Sequence, residues 1–220
     1  MAEQLAVIAE PRTDEIGGIP LVDYHPTPAW VIAQLLLAVR LPGGLWLEPA
    51  YGDGAIVKAV NRMRTDVAFV TNDVQSGAML QRNYVDLRGP LLGARHFDLV
   101  ITNPPFTLAL LFACQAMRDA KAVALLLRLD WMSGKPDRAG FLRSYPPAVW
   151  ILPNRPSFSV GDGSRPRSQT DMREYAWFCW GCGGDPGTYR HLPPMSVADR
   201  KSWNQMRHIR NKTLPIIDVA

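Results

Sequence analysis

The chain has 220 residues, of which 47% are hydrophobic and 20% charged, and its formal net charge is +4. That length suits one domain with a short appendage and the composition supplies a full core, which excludes a disordered tail, a collagen and a coiled coil. The charge is uneven: residues 1–153 carry 14 basic and 14 acidic side chains, whereas residues 154–220 carry 10 and 6. A neutral body with a basic end points to a localised contact with a polyanion. The three cysteines, Cys114, Cys179 and Cys182, are too few for a disulfide framework. Met1–Glu10 has no basic region before its apolar residues, and no apolar window approaches a bilayer span, so a soluble, cytoplasmic protein is expected.

Residues 1–20 hold Pro11, Gly17, Gly18 and Pro20 and read as an N-terminal arm. Thr27 is then expected as the N-cap, and Pro28 as the first residue, of a helix in which Val31, Ile32, Leu35, Leu36 and Val39 repeat at helical spacing. Pro42-Gly43-Gly44 stops it. A short strand, Leu45–Leu47, runs into Glu48-Pro49-Ala50-Tyr51-Gly52-Asp53-Gly54, and a helix from Ala55 to Met63 follows. Val67–Thr71 is a second strand closing on Asn72-Asp73, and Phe97–Thr102 is a third ending in Asn103-Pro104-Pro105-Phe106. Helix Leu108–Ala120 and strand Ala122–Leu127 continue an alternation that predicts a parallel sheet with helices on both faces. Val149–Leu152 and Tyr175–Trp180 are apolar, aromatic runs separated by a long polar loop holding Arg155, Arg165 and Arg167. A loop of that length is functional or disordered, and if Val149–Leu152 joins the sheet in parallel it leaves from the carboxyl edge, where ligands bind. Ser196–Lys212 carries Trp203, Met206 and Ile209 on one helical face, yet reads as a solvated tail.

Three motifs carry chemistry. Glycines 52 and 54, between a strand end and a helix start, let backbone approach a ligand closely, although a plain tight turn has the same composition. The third glycine and the Lys-Ser/Thr of a phosphate loop are missing, and Glu48 disfavours a pyrophosphate while accommodating a cation. Asp73 lies about 20 residues past that turn at a strand end, where nucleoside-binding folds hold ribose hydroxyls. Asn103-Pro104-Pro105-Phe106 is the most specific signal. The prolines fix two φ angles and extend Asn103, so the loop presents the Asn103 Oδ1 and Pro104 carbonyl acceptors beside the Phe106 ring. Such a trio suits a planar heteroaromatic amine: two acceptors bias its nitrogen toward a tetrahedral geometry and free the lone pair to attack.

With these residues in this order, the chain resembles the S-adenosylmethionine-dependent amino-methyltransferases, especially phage and restriction-type DNA adenine methyltransferases, over about residues 24–183. The resemblance implies a Rossmann-like class I α/β fold: a mostly parallel seven-stranded sheet with an antiparallel last strand. It implies a catalytic domain over 21–183, followed by a basic C-terminal extension over 184–220. It places Thr27 near the methionine end of S-adenosylmethionine and wraps Glu48, Pro49, Ala50, Gly52 and Gly54 around its amino-acid portion. Asp73 would hold the ribose, Asp86 the adenine amino group, and Asn103 would touch both cofactor and target. The implied reaction is direct transfer to the N6 amine of an adenine flipped out of DNA, or presented single-stranded, against Asn103, Pro104, Pro105 and Phe106. Arg155, Arg165, Arg167 and Arg173 would track phosphates, although a solvated loop has the same charges. An RNA adenine or a protein glutamine amide also fits the motif, and a non-catalytic nucleic-acid-binding subunit is the rival of a different class. No metal is expected: Cys179-Trp-Gly-Cys182 is a lone pair inside an apolar strand, and the histidines lack metal-binding spacing.

Overall fold

A computed structural model describes residues 26–93, 96–133, 135–156, 158 and 173–205. Arg165, Arg167 and the N-terminal arm lie outside the described residues. In chain order the elements are α1 (Ala29–Ala38), β1 (Gly44–Glu48), α2 (Ala55–Met63), β2 (Val67–Asp73), β3 (Leu80–Gln81), β4 (Phe97–Thr102), α3 (Ala109–Asp119), β5 (Ala120–Arg128), α4 (Pro136–Ser144), β6 (Ala148–Ile151), β7 (Tyr175–Trp180), β8 (Tyr189–His191) and α5 (Val197–Gln205). Short 3₁₀ turns occupy Tyr84–Asp86, Phe106–Leu108 and Leu129–Met132.

The strands form one sheet in the order β3-β2-β1-β4-β5-β7-β6-β8. Pairings β1–β2, β1–β4, β2–β3, β4–β5 and β6–β8 are parallel, and β7 is antiparallel to both β5 and β6. The sheet is thus the expected mostly parallel one with an antiparallel β7, extended by an eighth strand at the β6 edge. Two core layers flank it. Val31, Ile32, Leu35, Ile56, Ala59 and Val60 pack one face with Trp46 and Trp177, and Phe112, Ala113, Ala116 and Phe141 pack the other with Leu125 and Phe178. Parallel strands covered on both faces read as continuous apolar runs, as the buried stretch Ala122–Leu127 does.

Two local expectations fail. Pro28, not Thr27, is the N-cap of α1: its ψ of 136° is extended, and its carbonyl accepts from Val31 N at 2.9 Å. Thr27 sits one residue earlier with its hydroxyl otherwise engaged. Residues 197–205 are a helix rather than a solvated tail. The reason is α1, which is apolar on more than one side: its sheet-distal surface is covered by α5, with Trp203 against the core, the Arg200 guanidinium 5.4 Å from the Trp30 ring centre, and Gln34 Nε2 donating to the Pro193 carbonyl at 2.6 Å. No described helix is long and apolar enough to cross a membrane.

Candidate functional site

The carboxyl ends of β1, β2 and β4 open onto one cavity, whose wall includes Thr27, Glu48, Gly52, Asp73, Asn103 and Pro105. The glycine turn and the diproline corner, 50 residues apart in sequence, therefore face the same space.

Local conformation explains the turn. Gly52 and Gly54 adopt φ of 53° and 74°, the left-handed region, and a Cβ on Gly54 would fall 2.5 Å from the Tyr51 hydroxyl. Gly54 accordingly makes room for Tyr51 and caps α2 rather than lining the cavity, whereas Gly52 lines it. Asp73 ties the turn to β2: Oδ2 accepts from Gly52 N at 2.8 Å and Oδ1 from Gln75 N at 2.9 Å. Pro49 and Ala50 complete this wall.

Glu48 stands at the floor. It is only 2% exposed, and its Oε2 is buried without a hydrogen-bond partner. Burial pushes its carboxyl well above the usual range, and the nearby Asp53 and Asp73 push the same way. A backbone hydrogen bond from Val57 opposes that rise in part, and a desolvated carboxyl facing a cavity with one oxygen unbonded is complementary to a cation.

Asn103 leaves β4 at the cavity wall. Its Nδ2 donates to Thr27 Oγ1 at 3.1 Å, and in this orientation Oδ1 takes the acceptor role. Pro104 is buried behind the loop, and Pro105 lines the cavity and accepts from Leu108 N at 3.0 Å, closing the turn that launches α3. Phe106 points elsewhere. It packs on Tyr175 at 5.8 Å between ring centres and lines a second recess with Arg128, Asp130, Trp131, Ser133 and Arg138. The motif thus has one cavity on its asparagine side and another on its phenylalanine side.

Asp86 is not brought to the cavity. The 3₁₀ turn leaves it exposed, accepting from Asn83 Nδ2 at 2.6 Å, while Asn83 and Tyr84 line the wall. Tyr84 is held by buried Asp119, whose Oδ2 accepts its hydroxyl at 2.6 Å and whose Oδ1 accepts Leu91 N at 2.6 Å. Desolvation raises the Asp119 carboxyl despite these bonds. Phe112, in the helix after the motif, packs on Tyr84 at 5.2 Å and joins the same wall. Sequence reasoning missed Asn83, Tyr84 and Phe112. The apolar positions of α3 were a signal for Phe112, and nothing local marked the other two.

Of the arginines expected at phosphates, Arg155 pairs with Glu174 and Arg173 Nη1 lies 3.4 Å from Asp130 Oδ2. Cys179 is buried in β7, and no group of metal-ligating side chains occurs among the described residues.

No protein-family model and no curated protein matches this chain. Solved structures do. A type I restriction-modification methyltransferase subunit from Streptococcus thermophilus is 12% identical with a TM-score of 0.54, covering 81% of this chain and 51% of its own. A modification subunit from Vibrio vulnificus is 15% identical with a TM-score of 0.51, covering 85% and 54%. A protein described as a predicted O-methyltransferase, from Agrobacterium tumefaciens, is 15% identical with a TM-score of 0.52, covering 80% and 96%. The chain spans about half the length of the two restriction-modification subunits. What is shared is the fold, a Rossmann-like, mostly parallel α/β sheet.

Proposed function

We propose that this chain is an S-adenosylmethionine-dependent methyltransferase that acts on the exocyclic N6 amine of adenine in DNA. The observation that carries the reading is the shared cavity. Asn103, with its amide turned by Thr27, faces the same space as Gly52, Asp73 and buried Glu48, whose Oε2 is unbonded.

The residues fit the cofactor. Glu48 offers a buried countercharge for its ammonium and sulfonium groups, Gly52 lets its amino-acid portion lie against backbone, and Asp73 offers carboxylate oxygens to vicinal hydroxyls. When bound, S-adenosylmethionine supplies an electrophilic methyl group that an amine lone pair displaces from sulfur. The chain's part is to position the acceptor. Asn103 Oδ1 and the Pro104 carbonyl accept the two amine N–H bonds, drawing the nitrogen out of conjugation so that its lone pair faces the cavity. Holding both partners in line replaces a bimolecular encounter by a unimolecular step. Buried Pro104 and the Pro105–Leu108 bond keep the loop from relaxing between turnovers.

The charge distribution favours nucleic acid over a protein glutamine, because Arg128 and Arg138 line the recess beside Phe106. The deciding experiment incubates the protein with radiolabelled cofactor and DNA, RNA or protein, then resolves labelled nucleosides. N6-methyl-2′-deoxyadenosine, from DNA alone, is expected. Label in glutamine or in RNA moves the substrate, and no label in any acceptor, with no binding of S-adenosylhomocysteine, removes the reading.

A further inference from the structure

Two fully buried polar side chains, Asn72 and Asp119, do not border the cavity, yet both reach its far wall of Arg82, Asn83 and Tyr84. That wall has little secondary structure of its own. Strand β3 is two residues long, and from Arg82 to Leu91 the only regular element is the 3₁₀ turn Tyr84–Asp86. Backbone groups that lack a strand or helix partner must be satisfied by something else. Asn72, at the end of β2, does this at one end of the segment. Its Oδ1 accepts from Arg82 N at 3.1 Å, and its Nδ2 donates to the Arg82 carbonyl at 3.0 Å and to the Pro49 carbonyl at 3.3 Å. Its own carbonyl accepts from Tyr51 N at 3.1 Å, so one residue ties the far wall to the glycine turn. Asp119, the last residue of α3, acts at the other end. Its two oxygens accept the Tyr84 hydroxyl and Leu91 N, each at 2.6 Å, and its neighbour Gln115 donates Nε2 to the Gly89 carbonyl at 2.8 Å. Arg82 Nη1 closes the segment on the Leu91 carbonyl at 3.1 Å.

We infer that Asn72 and Asp119 are positioning residues of the cofactor site, which hold the Arg82–Tyr84 wall against the glycine turn and against α3 so that it stands ready for the adenine of the ligand. The inference rests on the methyl-transfer reading and adds what sets affinity and base selectivity at that site. A wall ordered only on binding subtracts its ordering cost from affinity, and a wall fixed beforehand does not. A buried polar side chain with several bonded neighbours has one arrangement that satisfies all of them, and an apolar residue of the same size satisfies none. Packing alone does not call for a carboxyl at the end of α3, because burying it costs stability that an apolar side chain does not cost. Its use lies in where it puts Tyr84 and Leu91. The same α3 begins beside the diproline corner, so one helix sets both the acceptor side and the far wall.

The test measures, by calorimetry on the full chain well below its Tm, the Kd of S-adenosylhomocysteine and of its inosine counterpart, in which a carbonyl replaces the adenine amine. Asn72→Ala and Asp119→Asn are each expected to weaken S-adenosylhomocysteine binding about 3–10-fold and to shrink the preference for the adenine form about threefold or more. Val149→Ala, in the buried part of β6, is the control for lost stability: it is expected to lower Tm while leaving both Kd values within about twofold. Tyr84→Phe removes one hydroxyl and no core volume. Combined with Asp119→Asn it is expected to cost less than the product of the two single losses, because Asp119 acts through that hydroxyl. Tyr84→Phe alone decides the Asp119 half if Asp119→Asn does not fold, by the same loss of affinity and preference. The inference is overturned if the variants bind both ligands as wild type does. It is also overturned if both Kd values rise equally with the preference intact, or if the Tyr84 and Asp119 losses multiply in full. Wild-type protein that binds S-adenosylhomocysteine while the variants bind it as tightly removes this inference alone. Wild-type protein that does not bind it removes the methyl-transfer reading and, with it, the inference that rests there.

Discussion

The two sides of the Asn103–Phe106 corner are built on opposite electrostatic plans. On the asparagine side, Glu48 is desolvated, has one carboxyl oxygen unbonded and is backed by two further carboxylates, all held by strand ends and a glycine turn. On the phenylalanine side, arginines sit at a half-open rim and pair with Asp130 and Glu174 in exchangeable contacts. Buried charge without a partner costs stability and is kept where a ligand will supply the partner. Rim ion pairs contribute little to folding, so they can be traded for another anion at small cost. The first plan suits a small cation bound in one pose, the second a flexible polyanion that must arrive, register and leave.

The sharpest way to break this contrast is at the hinge between the sides. Asn103→Ala is expected to lower kcat about a thousandfold, the scale of losing one preorganised hydrogen-bonding group at a reacting centre, while the Kd for S-adenosylhomocysteine stays within about threefold. Single-turnover transfer and calorimetry read the two quantities separately. Unchanged turnover would remove the corner from the chemistry.

Glu48→Gln tests the asparagine side in two directions at once. Cofactor affinity is expected to fall about 10–100-fold, because the countercharge is gone. Stability without ligand is expected to rise at neutral pH. The folded-state carboxyl titrates above its unfolded value, so below the ordinary carboxylate range both states are protonated and Glu48 costs nothing. As pH climbs through that range the unfolded chain ionises first, and the penalty on folding grows until the folded group also ionises. The variant should therefore match wild type in acid and exceed its Tm near neutrality, by about 2–4 °C per kcal/mol recovered in a domain of this size. A lower Tm at pH 7 would mean that the hydrogen bond from Val57 outweighs the cost of burial and that Glu48 is structural rather than a reserved countercharge.

How much of this was legible in the sequence follows from how local each feature is. The glycine turn and the Asn103–Phe106 corner were readable because their conformations are set within a few residues, by positive φ and by proline rings. The strand–helix alternation was readable because each buried strand is a continuous apolar run. The helix α5 was not: its own pattern is weakly amphipathic, and what orders it is the outer surface of α1, more than 150 residues away. Trp131 reaches the recess beside Phe106 through the 3₁₀ turn after β5 and Arg138 through the first turn of α4, a convergence that no residue in that stretch announces. Thr27 was assigned to a helix cap on composition, whereas the structure spends its hydroxyl on Asn103.

The finest distinction lies at the far wall of the cavity, where the family resemblance implies Asp86 and the structure presents Asn83. Asn83 Nδ2 donates to Asp86 Oδ2, so the asparagine's Oδ1 is the atom left to accept a hydrogen bond from a ligand amine. On that arrangement Asn83→Ala is expected to weaken S-adenosylhomocysteine binding about 3–10-fold, the range of one hydrogen bond to a neutral group. Asp86→Ala should cost less, since it only loosens the amide it orients. The inosine counterpart of the ligand, with a carbonyl in place of the amine, gives the control: wild type should discriminate against it and Asn83→Ala should not. If Asp86→Ala instead produces the larger loss and abolishes that discrimination, the 3₁₀ turn rearranges on binding and the family resemblance is the better guide to the bound state.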